Sequence, residues 1–305
     1  MLNSLFDYRS STRINQKIMH TKTNIALFCL LISFAVWAQP ERLKDDKHEQ
    51  IFNAYLQKNN GQRSLDSQII QTALFFLETP YVASSLEGNE NEQLVINLQE
   101  LDCTTFVENC LALSRTVLSS APDFMAFKNE LQTIRYRDGI IDGYSSRLHY
   151  TSDWITNNQE KNIIEDKTEA IGGIILPLQM NFMSTHSESY QYLSKHPEEI
   201  EKIQQIENAI NQRTYYYVPK EKIKDCEQGI QSGDLVCFVT SAKGMDVSHV
   251  GIAYWNNGVC TFIHASSKDK KVVIDPTSIA DYSKSVSSNK GIMILRAKTL
   301  HSDLP

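Results

Sequence analysis

With 305 residues, 41% of them hydrophobic, the chain can bury one large core or two modest ones, and it shows no repeat period or low-complexity tract. Its net charge is −6, and its Lys and Arg residues are dispersed rather than gathered into a basic stripe with aromatics. That distribution argues against nucleic acid as a partner and favours a small or neutral ligand.

The first distinctive stretch is Asn24 to Val36, NIALFCLLISFAV, which has the length of a secretory h-region and is too short to span a bilayer comfortably. Lys17, His20 and Lys22 give it a weakly basic lead, and Val36-Trp37-Ala38 before Gln39 offers small residues at the positions a signal peptidase reads. Residues 1–38 are therefore expected to be an N-terminal extension and signal peptide, with the start at Met1 or Met19. Residues 39–305 then form one catalytic domain in the periplasm, with no stable membrane anchor after cleavage; a retained anchor is the alternative. Cys29 leaves with the leader, and Cys103, Cys110, Cys226, Cys237 and Cys260 remain. An odd set leaves at least one thiol unpaired in an oxidising compartment. None of the spacings is that of a zinc site, so no metal and no cofactor are expected.

Pro40 to Gly61 reads as charged and weakly helical, and Ser64 to Glu78 as a capped amphipathic helix that Thr79-Pro80-Tyr81 ends. A turn-rich segment, SSLEGNENEQ, leads to a strand candidate at Leu94 to Leu98. Leu101 to Leu118, LDCTTFVENCLALSRTVL, is the stretch around which the rest of the chain is organised. Asp102 is a good N-cap, and Phe106, Cys110, Leu113 and Val117 recur at helical spacing with Val107, Leu111 and Leu118 widening the apolar face. A helix with so little polar surface belongs in the interior. Cys103 stands at its mouth, where unpaired backbone N–H groups and the helix dipole favour a thiolate, although a free cysteine is also at home as a small buried hydrophobe.

Pro122 at an N1 position opens the next helix, to about Ile134, completing an αα-hairpin. Arg137 to Trp154, RDGIIDGYSSRLHYTSDW, is a turn-rich loop dense in Tyr144, Arg147, His149, Tyr150 and Trp154, a mixture suited to a ligand wall or to a loop anchored by its aromatics. Glu169 to Met183 reads as extended, and Ser187 to Lys195 and Pro197 to Gln212 as short solvated helices, so the region near 160–215 is expected to be a helical insertion. Thr214 to Val218 and then Asp234 to Thr240, Val247 to Trp255, Val259 to Ala265, Lys271 to Ile274 and Gly291 to Arg296 are strand-like. Helices followed by an antiparallel strand series make the fold class α+β. His249 and His264 lie on consecutive strands joined by an Asn256-Asn257-Gly258 turn, so pairing can bring the two imidazoles close.

A thiol attacking an amide needs a base to take its proton and a third group to fix the base, and Cys103, His249 and His264 suit those roles in that order. Pro80-Tyr81, Asp102-Cys103-Thr104-Thr105-Phe106-Val107, Gly233-Asp234-Leu235-Val236, Ser248-His249-Val250-Gly251-Ile252 and Ile263-His264-Ala265 together resemble the ordered motifs of NlpC-type papain-like cysteine hydrolases of bacterial cell walls. The likeness covers about residues 64–300. Thr104-Thr105 stands where that superfamily commonly has Ser-Gly; this departure, together with the 137–154 segment, resembles a subfamily of N-acetylmuramoyl-L-alanine amidases.

The resemblance implies a papain-like α+β fold in which N-terminal helices pack on the sheet, catalytic Cys103, His249 and His264, and a muropeptide or peptidoglycan-fragment substrate. It also implies Tyr81 beside the nucleophile, and Arg147, His149 and Tyr150 against the muramyl group or a carboxylate, for which the Arg fork is suited. Asp102 and Asp246 are candidates for holding an amine, Asp102 being first a helix cap. The expected reaction is hydrolysis of the amide between N-acetylmuramic acid and L-alanine through a thioester. The alternatives are γ-D-glutamyl-diamino acid endopeptidase action and an inactive binding module.

Overall fold

The computed structural model describes residues 39–59 and 64–299, excepting the side chains of 39–46; the leader read at 24–38 lies outside the described residues. The chain divides into two compact units, 1–50 and 51–305, and helix α1, Gln39–Lys58, runs across the division. The second unit contains every strand of the described residues.

Its helical part is α2 (Leu65–Phe75), α3 (Cys103–Val117), α4 (Phe124–Arg135) and α5 (Thr151–Glu160). The predicted central helix is α3, and it is the most interior, with Phe106, Cys110, Leu111, Ala112 and Leu113 fully buried. It packs on α2 and α4 and on two strands of the sheet. The helix α4 starts two residues later than the proline rule predicts: Asp123 is the N-cap and accepts from the Ala126 N–H at 2.7 Å, which leaves Pro122 outside.

The chain continues through β1 (Ile164–Asp166), β2 (Ile174–Leu176), α6 (Phe182–Thr185), α7 (Glu198–Asn211), β3 (Tyr215–Pro219), α8 (Ile223–Cys226), β4 (Leu235–Thr240), β5 (Val247–Asn256), β6 (Val259–Ser266), β7 (Lys271–Ile274), α9 (Ile279–Ser285) and β8 (Asn289–Ala297). The strands of the described residues form one antiparallel sheet of order β2-β3-β8-β4-β5-β6-β7, with β1 also on β8. The architecture is α+β, as the sequence predicts. Central β4 is buried along its whole length and alternates: Leu235, Cys237 and Val239 face the helical core, while Val236 and Phe238 face a smaller core beside α8 and α9. The 160–215 region is woven into this sheet, because it supplies β1 and β2 as well as α7.

Three local expectations fail for physical reasons. Leu94 to Leu98 is not a strand; its carbonyls are taken by side chains instead, Val95 O by Arg135 at 2.6 Å and Asn97 O by Asn109 at 3.2 Å. Ser187 to Lys195 makes only one short 3₁₀ turn, Ser187–Ser189, followed by turns. The Arg137 to Trp154 stretch is not all loop, since α5 begins at Thr151; its first turn is capped from far away, by Asp246 Oδ2 accepting from Ser152 N–H at 2.7 Å. Asp246 is thereby committed to the fold rather than held ready for a ligand amine.

Candidate active site

At the mouth of α3, the Asp102 side chain accepts from the Thr105 N–H at 2.8 Å while the Thr105 hydroxyl accepts from the Asp102 N–H at 2.9 Å. This capping box fixes the first turn and with it Cys103, a half-buried free thiol. Cys110, Cys226, Cys237 and Cys260 are free thiols too. Thr104 and the backbone of Val250, the residue after His249 on β5, act on the Cys103 thiol as donors that lower its pKa. The helix mouth predicts a lowered thiol pKa, yet burial and the neighbouring Asp102 carboxylate push it up to about 11, outweighing those donors. The resting group is a thiol.

Tyr81 is brought to the same place by a crossing of chain segments. Its N–H donates to Lys270 O at 2.9 Å, and Val82 N–H to Leu101 O at 3.1 Å, which pins 80–82 between the end of the β6–β7 hairpin and the residues entering α3. Burial, Cys103 and Asp102 together raise the Tyr81 phenol. It therefore stays protonated, close enough to Cys103 and Asp102 to feel their charge.

His249 and His264 meet. The β5–β6 hairpin turns through Asn257 and Gly258, both at positive φ, and sets Ile252 opposite Ile263. His264 thus lies across from Gly251, where a Cβ would come within 3.2 Å of His264 Cβ and 2.8 Å of the Phe262 ring. The missing side chain lets the His264 ring lean along the sheet, and His249 Nε2 to His264 Nδ1 is 2.7 Å. Beyond it, His264 Nε2 lies 3.5 Å from Asp275 Oδ2, an ion-pair distance. Burial and the adjacent His264 lower His249 to about 3, so its imidazole is neutral at rest. Tyr282 on α9 stands between the two clusters: its ring is 6.1 Å from His249 and 6.0 Å from His264, and the nearby Cys103 and Asp275, after burial, raise its phenol. Sequence reading missed Asp275 and Tyr282, which are separated from the motifs by a strand and a turn and carry no local signature.

A cleft of about 430 Å³ opens at the α3 mouth, lined among others by Asp102, Thr104, Glu108, Arg147, His149 and Tyr190; Cys103, His249 and His264 are not in its lining. It adjoins a largely apolar pocket of about 50 Å³ that shares Thr104, Glu108, Leu148 and His149 and adds Val107, Trp154 and Val250. Arg147 reaches this wall already occupied. Its guanidinium pairs with Glu87 at 2.8 Å and Glu92 at 3.2 Å and lies 5.0 Å over the Tyr144 ring. The His149 ring packs tilted against Tyr144 with centroids 4.3 Å apart, its Nε2 is bonded to Tyr144 O at 2.8 Å, and burial beside Arg147 lowers its pKa to about 3. Tyr150 turns inward: its hydroxyl donates to Glu207 at 2.7 Å and accepts from Met183 N–H at 2.9 Å. The expectation that Tyr150 faces a ligand is corrected on this geometry, because burial and those two bonds consume its polar end.

The α+β body carries a free thiol at a helix mouth and a hydrogen-bonded histidine pair on two neighbouring strands of its sheet. The chain belongs to the AmiA-like family, described as N-acetylmuramoyl-L-alanine amidase-like, whose profile matches residues 71–292. Among solved structures it is similar to an N-acetylmuramoyl-L-alanine amidase from Bacteroides uniformis, with 38% identity and a TM-score of 0.74 over 77% of this chain and 99% of that one. It is also similar to a Bacteroides fragilis protein named as a xylanase candidate, with 41% identity and a TM-score of 0.70 over 74% of this chain and 99% of that one. Protein LPG0564 of Legionella pneumophila shares the fold at 22% identity, with a TM-score of 0.63 over 84% of this chain and 96% of that one. No curated protein sequence matches. Among the described residues, no helix is long and apolar enough to cross a membrane.

Proposed function

We propose that this chain hydrolyses the amide joining the lactyl carbonyl of N-acetylmuramic acid to the nitrogen of L-alanine, with Cys103 as nucleophile. The observation that carries this reading is a free thiol, Cys103, at the mouth of α3, which packs on β5 and β6, the strands whose His249 and His264 are hydrogen-bonded to each other. The thiol proton passes to His249 Nδ1 as the sulfur attacks the carbonyl carbon. Backbone N–H groups at the α3 mouth and the Tyr81 hydroxyl are the donors for the oxyanion. His249, now imidazolium, protonates the leaving alanine nitrogen, the C–N bond breaks, and a thioester remains. Water then attacks the thioester with His249 as base, releasing the muramic carboxylate and restoring the thiol.

Burial holds both members of the resting pair uncharged, so the charged pair is formed only as the reaction proceeds. The small apolar pocket beside Thr104 and Val250 suits a methyl group, which both the lactyl unit and alanine carry. Wall residues Arg147 and His149 shape the cleft for the sugar or peptide, and Asp102 lines it while capping α3.

Within this reading the chain is a papain-like, NlpC-type enzyme that acts in the periplasm after loss of residues 1–38. A glycosidase reading, which the Bacteroides fragilis relative's name raises, needs two carboxyl groups flanking the bond. Two of the carboxylates at this cleft are instead bound up with guanidinium groups, Glu87 with Arg147 and Glu108 with Arg135 at 2.7 Å. Wild type and Cys103→Ala should be assayed on muramoyl-L-alanine peptide, on a γ-D-glutamyl-diamino acid stem peptide and on xylan. The expected result is alanine-bearing peptide release by wild type, cut by about 10⁴-fold or more in the variant. Cleavage of the stem peptide alone would make it an endopeptidase, and no cleavage at all a binding module.

A further inference from the structure

We propose that Asp275 is a positioning residue that selects the proton arrangement of the histidine pair, and so decides whether His249 can act as a base. The proposal rests on the reading of His249 as the partner of Cys103. Asp275 comes just after β7 and is held on every side but one. Its N–H donates to Phe262 O at 2.9 Å, and its carbonyl accepts the Thr261 hydroxyl at 2.7 Å. Its Oδ1 accepts both the N–H and the hydroxyl of Thr277, at 2.8 and 2.6 Å. What this clamp leaves for the site is Oδ2, 3.5 Å from His264 Nε2.

The proton positions are set by which atoms can donate. His264 Nε2 is buried with no hydrogen-bond partner and faces Asp275 Oδ2 at 3.5 Å. Since a carboxylate only accepts, the facing charge favours the form with the His264 proton on Nε2 and its Nδ1 as acceptor. His249 Nε2, 2.7 Å away, must be the donor in that bond. The lone pair of His249 is therefore on Nδ1, the form that can take a proton from a thiol. Without an acceptor at position 275, His264 is free to protonate on Nδ1 and donate to His249 Nε2. The His249 proton then sits on Nδ1, and the base is blocked. When the thiol proton does arrive, His249 becomes imidazolium and both of its nitrogens donate; the 3.5 Å contact then tightens, as catalytic hydrogen bonds do on charging. Burial works to raise the Asp275 carboxyl, yet bonding from His264 and Thr277 carries it below its ordinary range, so the negative charge is in place.

The groups facing this seam are Cys103 and Asp102 from the α3 mouth, Tyr81 beside them, Tyr282 from α9 and Asp275 after β7, with Phe238 and Phe262 as apolar walls. Of these, Asp275 is the one whose charge reaches His264 directly and also favours the protonated form of His249.

Alkylation of Cys103 by iodoacetamide tests this without any muropeptide. The full chain is followed from about pH 6 to about pH 10, the rising limb of the alkylation profile, by mass spectrometry of the Cys103 peptide, in wild type, Asp275→Ala, Asp275→Glu and His249→Ala. In Asp275→Ala the alkylation rate along this limb should fall about tenfold, equivalent to a displacement of about one pH unit, and Asp275→Glu should recover part of the loss. Nitrogen NMR of labelled histidine should show His264 protonated on Nε2 in wild type and on Nδ1 in Asp275→Ala, a change that a merely structural role would not produce. Should Asp275→Ala fail to fold, Thr277→Val, which loosens the carboxylate, should give a smaller shift in the same direction. An unchanged profile and tautomer in a folded Asp275 variant, with His249→Ala still slowed, would overturn the proposal alone. Indifference of the thiol to His249→Ala would overturn the reading beneath it.

Discussion

The two clusters of polar and aromatic side chains beside the cleft differ in how their hydrogen bonds end. In the wall formed by 137–154 three polar groups close on the protein itself, Arg147 on Glu87 and Glu92, His149 on Tyr144 O, and Tyr150 on Glu207 and Met183, while the Tyr144 hydroxyl and the Trp154 N–H are buried without a hydrogen-bond partner. In the seam, an ion-pair contact joins Asp275 to His264 and one hydrogen bond joins His264 Nδ1 to His249 Nε2, and the series ends there. A closed network confers shape, whereas an open-ended one leaves a site able to move a proton. Residue type alone does not separate the two, since both contain histidine, tyrosine and a charged partner.

This contrast can be broken most severely at Arg147. Arg147→Ala strands Glu87 and Glu92 beside a buried wall and should cost about 3–5 kcal/mol in denaturant unfolding, with kcat on the remaining folded protein changed far less. If stability holds and KM rises instead, Arg147 grips substrate and the wall belongs to the chemistry.

A pH series tests both clusters together. His249 and His149 are each lowered to about 3 from an ordinary 6.5, so the unfolded chain binds protons that the folded chain refuses. Their contribution to stability is full above 6.5 and is lost as pH falls from there towards about 3. Unfolding midpoints should drop through this window, and the drop should shrink in His149→Gln. The smallest effect is expected at Tyr150→Phe, about 1–2 kcal/mol of stability with activity within a few-fold, because it removes one hydroxyl from a closed network.

The parts of the fold that were legible in the sequence are those in which neighbours along the chain decide the outcome. The buried helix α3 announces itself by apolar spacing and by Asp102 as cap, and the β5–β6 hairpin by Asn257-Gly258, which tolerate positive φ. That hairpin also made the approach of His249 to His264 foreseeable, although the role of Gly251 in clearing the way was not. What escaped were decisions made by distant residues. The helix α5 has Tyr150 at its N-cap position and no capping side chain of its own there; Asp246 supplies the bond from the start of another strand. Leu94 to Leu98 has strand-like residues, yet the guanidinium of Arg135 and the amide of Asn109 claim its carbonyls before a neighbouring strand can. The lowered thiol expected at a helix mouth failed for a similar reason, because burial and the Asp102 charge outweigh local donors. Asp275 and Tyr282 join the seam only through the packing of β7 and α9 against β6.

Acid-quenched turnover on muramoyl-L-alanine peptide, followed by mass spectrometry of the Cys103 peptide, tests the central claim most directly. The account predicts a transient acyl adduct of the N-acetylmuramic acid mass on Cys103 that disappears as substrate is exhausted. Amide cleavage that proceeds at wild-type rate in Cys103→Ala, with no adduct on the sulfur at any time, would contradict it.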